Sequence, residues 1–143
     1  MTQQLGFKLV DSRTNEDGTV QSDIDLAPLA LGALTDGVTV REMAGGFSTF
    51  INDGVYGGTR TYTKVTDSEG NTIMENTPNT DKGFTNVRTA YYMLDCLQNV
   101  TAHGTAYGIQ LDGVETGGKT GTTTSNTDIW FCGITPKYSG AVW

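Results

Sequence analysis

Residues 117–123, with the sequence Gly-Gly-Lys-Thr-Gly-Thr-Thr, restrict the possible folds and functions of this chain more than any other segment. They place one ammonium group, that of Lys119, among Gly and Thr residues that carry little side-chain bulk. Such a backbone allows close approach by a small anion, either a phosphate or a carboxylate. Two motifs of different chemistry overlap on this lysine, and the flanking sequence must decide between them.

The first motif is a phosphate loop, because residues 113–120 match G-x-x-x-x-G-K-[ST] in full. In such a loop, backbone N–H groups hold the phosphates, Lys119 binds the outer phosphates and Thr120 binds Mg²⁺. The motif needs a buried strand before it and a helix that begins at the lysine. Residues 109–112 are only weakly apolar, and residues 121–126 are poor helix formers. Without a helix N-terminus the site loses its dipole and several donors, so we rank nucleotide binding last.

The second motif is K-T-G on a β-strand, formed by Lys119, Thr120 and Gly121. In this interpretation the strand lines the edge of a groove, and Gly121 keeps the groove wall low. The ammonium and hydroxyl groups then bind a carboxylate. An exposed strand edge can also pair with an extended peptide, which suits a peptide substrate. The apolar segment 128–134 predicts a largely buried strand immediately afterwards.

Apolar periodicity predicts helices elsewhere in the chain. Thr39 and Glu42 fit a capping box, and the helix that follows is expected to end at residues 52–54. Thr85 is expected to cap a second helix that ends near residues 101–104. The predicted buried faces of the two helices comprise Met43, Ala44, Phe47, Phe50 and Ile51, and then Val87, Ala90, Tyr91, Leu94, Leu97 and Val100.

Two other segments have the pattern of turns and hairpins. The β-branched residues of 61–66 and 72–74 flank a polar turn at 67–71, which predicts a hairpin. The polar segment 11–23 is expected to be an exposed loop or a hairpin tip.

Composition excludes several classes of function. The net charge of -7 disfavours nucleic acid as a partner, because the chain would repel a phosphate backbone. His103 is the only histidine, which rules out a His dyad or a multi-His metal site. Cys96 and Cys132 are too few for a zinc site; we expect both to be core residues, and a disulfide between them stays open. The sequence predicts no metal and no cofactor.

The order of these features resembles the transpeptidase domain of penicillin-binding proteins, in the serine acyltransferase and β-lactamase superfamily. The likeness is greatest to the bifunctional, high-molecular-weight class, and it covers nearly the whole chain. It is carried by the segments 29–39, 42–44, 47–56, 64–67 with 70–71, 104–106 and 127–131 with Gly133, together with the K-T-G motif.

The resemblance implies an α+β fold, in which an antiparallel sheet contains the K-T-G strand and the strands after it. Helices pack on this sheet, and a hairpin lies at the periphery. Residues 1–143 would be the C-terminal portion of one such domain. Enzymes of this family acylate a serine with a D-Ala-D-Ala peptide and then cross-link peptidoglycan, and β-lactams acylate the same serine. Their machinery consists of S-x-x-K, S-x-N and K-T-G.

The first two of these motifs do not occur in the 143 residues. The serines are Ser12, Ser22, Ser48, Ser68, Ser125 and Ser139, and none has Lys three residues later or Asn two residues later. We therefore expect a fragment that begins after S-x-N, ends within the last strands and is inactive alone. A non-catalytic module that binds peptidoglycan peptides is the alternative.

The resemblance also assigns roles to residues 119–123. Lys119 would be catalytic, stabilising charge in the groove and bonding the serine of S-x-N. The substrate-binding residues would be Lys119, Thr120, Gly121, Thr122 and Thr123, with the Thr120 and Thr122 hydroxyls on the ligand carboxylate. The expected partners are a D-Ala-D-Ala stem peptide or a β-lactam, the N-terminal part of the same domain, and a second copy of the chain. The location would be extracytoplasmic, with the membrane anchor outside this chain.

Overall fold

The computed structural model describes residues 5–78 and 85–143, in which short hairpins and helices precede a three-stranded sheet. The elements follow along the chain as β1 (Arg13–Thr14), β2 (Val20–Gln21), α1 (Leu26–Leu31), α2 (Val40–Ile51), β3 (Lys64–Thr66), β4 (Thr72–Glu75), α3 (Val87–His103), β5 (Gly117–Thr122), β6 (Ile129–Ile134) and β7 (Ser139–Val142).

The three-stranded sheet has the order β5-β6-β7, and both strand pairs are antiparallel. Gly117 lies opposite Ile134 at one end of the β5–β6 pair, and Thr122 lies opposite Ile129 at the other. The hairpins β1–β2 and β3–β4 form separate two-stranded sheets, as the polar and β-branched patterns predict. The predicted α+β class is confirmed, and the helices pack on the sheet that contains the K-T-G motif.

Helix α3 approaches β5 closely because Gly117 has no side chain. A Cβ atom at Gly117 would lie 3.1 Å from the backbone nitrogen of Gln98. The buried hydroxyl of Thr101 lies 2.8 Å from the carbonyl oxygen of Thr116, and this hydrogen bond ties the helix to the residue before the strand. The backbone carbonyl carbon of Leu97 would also lie 3.1 Å from that Cβ atom, and Leu97 is buried. The C-terminal half of α3 therefore holds β5 in place.

Helix α2 covers β6 and β7. The predicted capping box at its start is confirmed: Thr39 accepts from the Glu42 N–H, and the Glu42 carboxylate accepts from the Thr39 N–H. The helix ends at Ile51, where the sequence predicts its end. Ser139 of β7 donates its hydroxyl to the carbonyl oxygen of Ala44 at 2.8 Å, which joins the helix to the sheet's last strand.

Several predictions for α3 need correction. Asn86, not Thr85, caps the helix, by accepting from the Thr89 N–H at 2.9 Å. Ala90 and Leu97 are buried as predicted, but Val87 and Tyr91 are 59% and 67% exposed. Val87 and Tyr91 are four residues apart and therefore share one side of the helix, and the described residues leave that side exposed while Ala90 beside them is covered.

The two cysteines have different environments. Cys132 on β6 is buried, as predicted, whereas the prediction that Cys96 is a core residue is wrong because Cys96 is exposed. Neighbouring positions on a helix point about 100° apart, and Leu97 occupies the position that faces the core. Strand β6 is also less buried than predicted, since Ile129 is 62% exposed. Both thiols are free.

Within the described part of the chain, no helix combines the length and apolar character that a bilayer span requires.

Gly118 provides a test of the packing within the sheet. A Cβ atom there would lie 2.6 Å from the ring of Phe131 and 2.8 Å from the carbonyl oxygen of Cys132. We expect Gly118→Ala to lower the free energy of unfolding by about 1–3 kcal/mol, as overpacking does. Gly140→Ala on β7 is the matched control, because nothing lies within 4 Å of its Cβ position. Urea denaturation measures both variants, and equal stability of the two would contradict the packing account.

Candidate functional site

The K-T-G residues lie on β5, which is one of the two edge strands of the described sheet. The predicted strand is therefore present, and no helix begins at Lys119. A phosphate loop requires that helix, so the phosphate-loop interpretation of residues 113–120 is wrong. Lys119 lies opposite Cys132, and Gly121 lies opposite Trp130, in the β5–β6 ladder.

A cleft of about 640 Å³ runs along β5. Residues 119–123 form one wall, and residues 31–34 and 36–40 form the facing wall. The side chains that complete the lining come from α2, from β6 with the residue before it, and from the residue after β7: Met43, Phe47, Asp128, Trp130, Cys132 and Trp143. The five sequence-predicted site residues thus lie together on one wall of a single cleft, and their binding role stays a prediction.

Lys119 provides the positive charge of this wall. Its side chain is exposed, and Nζ donates to the carbonyl oxygen of Thr120 at 2.7 Å. No carboxylate of the described residues lies within ion-pair distance of Lys119. The ammonium group therefore has donors available for an anion that enters the cleft.

Thr120 has a partner that sequence reasoning missed. Its hydroxyl lies 2.7 Å from the hydroxyl of Thr105, in the segment that follows α3. The only available signal was the Gly-Thr pair at 104–105, which the family resemblance includes but to which no role was assigned.

The turn between β5 and β6 is fixed by Asp128, which was also missed. Its N–H donates to the Thr123 hydroxyl at 2.8 Å, and its Oδ1 accepts from the indole Nε1–H of Trp143 at 2.7 Å. Ser125 and Asn126 adopt positive φ values of 65° and 55° in this turn. Asp128 therefore fixes both the end of the K-T-G strand and the aromatic ring at the cleft.

The facing wall is held by a buried carboxylate. Asp23 is 1% exposed, and it accepts from the N–H of Val10 at 2.8 Å and from the N–H and hydroxyl of Thr35, both at 2.7 Å. These hydrogen bonds hold the pKa of the Asp23 carboxyl below its ordinary value. Next to it, Arg13 binds both carboxylate oxygens of Asp36, at 2.7 and 2.8 Å. The β1–β2 hairpin and the residue Asp23 after it thus anchor Thr35 and Asp36 at the cleft.

The model of the family described as "Penicillin binding protein transpeptidase domain" matches residues 2–143. The chain belongs to this family. It is 40% identical over 121 residues to penicillin-binding protein 1A of Clostridium novyi, in a match that covers 82% of this chain and 14% of the relative. It is 37% identical over 124 residues to penicillin-binding protein 4 of Bacillus subtilis, covering 87% of this chain and 20% of the relative. The chain thus spans a small part of the length of these relatives.

Solved structures agree with the penicillin-binding family assignment. The D,D-transpeptidase domain of a peptidoglycan glycosyltransferase from Eggerthella lenta is 27% identical, with a TM-score of 0.63 over 73% of this chain and 26% of that one. Penicillin-binding protein 1A of Haemophilus influenzae, at 20% identity, has a TM-score of 0.66 over 97% of this chain and 24% of that one, which shows the fold alone.

The hydrogen bonds of Asp23 predict that the folding stability of this member of the penicillin-binding family falls at acid pH. A carboxyl with a lowered folded-state pKa stabilises the fold above its unfolded pKa of about 3.9, and that stability is lost as the pH falls through the folded value. Asp23→Asn replaces one carboxylate oxygen with an NH2 group, which faces the N–H of either Val10 or Thr35 and cannot accept from it, so we expect lower stability than wild type at pH 7. The difference should shrink below about pH 4. Urea denaturation across this pH range, followed by tryptophan fluorescence, measures it.

The matched control is Asp53→Asn. Asp53 is exposed, forms no side-chain hydrogen bond to the described residues and has a φ of 52°, which Asn tolerates. This variant should be as stable as wild type at every pH. An Asp23→Asn protein that matches wild type at pH 7, or that differs equally at pH 7 and pH 3, would contradict the role given to Asp23.

Proposed function

We propose that this chain contributes the substrate-binding strand of a peptidoglycan D,D-transpeptidase, an enzyme that cross-links the cell wall by serine acyl transfer. The observation that carries the proposal is the arrangement of residues 119–123 along one wall of an open cleft. The family assignment supports the reaction class. The location would be the outer face of the cytoplasmic membrane, where peptidoglycan is cross-linked.

Each residue of the strand has a separate role in the proposal. Lys119 is the catalytic cation, which stabilises negative charge and bonds the serine of S-x-N. The Thr120 and Thr122 hydroxyls, with Thr123 beside them, bind the terminal carboxylate of a D-Ala-D-Ala peptide or a β-lactam. The N–H of Thr122 provides one oxyanion-hole donor, and such a donor is worth about 3–4 kcal/mol in the transition state.

The position of β5 at the sheet edge supports a peptide ligand. An edge strand has backbone N–H and C=O groups free to pair with an extended chain. Gly121 keeps the wall low because it has no side chain. A Cβ atom there would lie 3.4 Å from the Cβ of Trp130. A stem peptide can therefore lie along the strand with its carboxylate near the threonines.

The serine nucleophile must come from outside these 143 residues, because no S-x-x-K occurs among them. The exposed surface area supports contact with a second polypeptide segment. A folded monomer of this mass exposes about 7,100 Å², whereas this chain exposes 9955 Å². We propose that the rest of the same domain, carrying S-x-x-K and S-x-N, covers part of this excess.

The absence of S-x-x-K and S-x-N from these residues favours one other candidate. A non-catalytic module would keep the carboxylate-binding strand and hold peptidoglycan peptides without acylation. Ligand binding alone does not separate the two candidates. Restoration of acylation by a segment that carries the two motifs does, because only the enzyme part regains it.

Titration with a D-Ala-D-Ala peptide tests the binding site. We expect the amide NMR signals of Thr120 and Thr122 to shift at millimolar ligand, and Thr120→Val to weaken binding because a donor to the carboxylate is lost. Thr72→Val on the exposed strand β4 is the control and should bind as wild type does. No shift in the unsubstituted chain would contradict the proposal. The same sample treated with fluorescent penicillin should give no labelled band on a denaturing gel.

The exposed apolar surface leads to a prediction of self-association when the chain is alone. Leu26 and Leu31 on α1 are 86% and 83% exposed. We expect sedimentation to show species heavier than the 15.3 kDa monomer, because burial of these side chains is favourable. Replacing both with Glu should move the mass toward the monomer, whereas Ile73→Glu on the β3–β4 hairpin should not. A monomeric wild-type chain at high concentration would contradict this.

A further inference from the structure

The hydroxyl pair of Thr105 and Thr120 connects the K-T-G strand to a residue outside the motif. The two oxygens lie 2.7 Å apart, within the range of a strong O–H···O hydrogen bond, and either one can be the donor. Thr105 lies in the segment between α3 and β5, 15 residues before its partner. The assignment of roles to residues 119–123 leaves this contact without a function.

The direction of the hydrogen bond follows from the number of protons. A threonine hydroxyl has one proton to donate and two lone pairs to accept with. If Thr120 gives its proton to a ligand carboxylate, it cannot also donate to Thr105. Thr105 must then be the donor, so the order is Thr105 to Thr120 to carboxylate.

We propose that Thr105 is a positioning residue, which orients the Thr120 hydroxyl so that its proton points to a carboxylate in the cleft. This inference rests on the proposed function, because it takes a carboxylate as the ligand. A hydroxyl that accepts one hydrogen bond becomes a stronger donor in the next, since the bonds of a chain polarise one another. Thr105 thereby strengthens the contact that Thr120 makes.

Hydrogen bonds and packing restrain the backbone around Thr105, and this restraint limits the orientations of its hydroxyl. The N–H groups of Gly104 and Ala106 both donate to the carbonyl oxygen of Val100, at 3.0 and 3.2 Å. Ala106 is 1% exposed. A Cβ atom at Gly104 would lie 2.9 Å from the Cα of Val100, so the turn closes tightly on the helix. Thr105 is therefore held between a closed helix end and a buried alanine.

The other side of the pair is fixed by the same helix. Thr101 bonds the carbonyl oxygen of Thr116 at 2.8 Å, one residue before β5 begins. The pairing of Thr120 with Phe131 then sets the position of Thr120 within the sheet. Because α3 holds both the turn that bears Thr105 and the strand that bears Thr120, the two hydroxyls meet without any movement of a loop.

The test compares Thr105→Val, which keeps the shape and removes the hydroxyl, with Thr105→Ser, which keeps the hydroxyl. The probes are a D-Ala-D-Ala peptide with a free carboxylate and the same peptide as its C-terminal carboxamide, both titrated into the full chain by NMR. We expect Thr105→Val to weaken binding of the carboxylate peptide by about three- to tenfold, and Thr105→Ser to bind as wild type does. The weaker binding of the carboxamide should change little in either variant.

The outcomes separate this inference from the proposed function. If Thr120→Val loses affinity while Thr105→Val binds the carboxylate peptide like wild type, the inference is overturned and the proposed function stands. If Thr105→Val weakens both peptides equally, or if Thr105→Ser also weakens binding, Thr105 has only a structural role and the inference is again overturned. If the unsubstituted chain does not bind the carboxylate peptide, both the proposed function and the inference fail.

Discussion

The close approach of α3 to β5 is the contact on which the candidate site depends. Gly117 permits it, because a Cβ atom at this position would lie 3.1 Å from the helix backbone at Gln98, which is closer than an ordinary van der Waals contact. The buried Thr101 hydroxyl then joins the helix to Thr116, the residue before the strand. In this way a packed helix determines where an exposed strand begins, and Lys119 follows two residues later on a backbone whose position is already set.

The local features of the site could be predicted from the sequence. The glycines and threonines of 117–123 favour a strand over a helix. The capping pair Thr39 and Glu42 predicts that a helix begins directly after Thr39, as it does. These features depend only on residues that are close in sequence. Secondary-structure propensity and local hydrogen bonding therefore suffice to predict them.

The supporting contacts could not be predicted, because each joins residues far apart in sequence. Asp23 binds Val10 and Thr35 across 13 and 12 residues. Trp143 donates to Asp128 across 15 residues. Helical periodicity also does not show how wide a face of α3 the rest of the fold covers: the pattern predicts that Tyr91 is buried, yet it is exposed although its neighbour Ala90 is covered. Tertiary packing decides these positions, and one sequence shows only the residue types available to it.

The position of Lys119 near the middle of an edge strand affects how the chain meets copies of itself. An unpaired edge is a template for edge-to-edge pairing with another molecule, and a lysine on the edge is one way in which proteins prevent this. A symmetric antiparallel pairing of two β5 strands would bring their Lys119 ammonium groups near one another, because the residue lies close to the strand's centre. In the proposed site the same charge would attract a carboxylate, so one side chain would serve ligand binding there and also oppose the pairing of two identical strands.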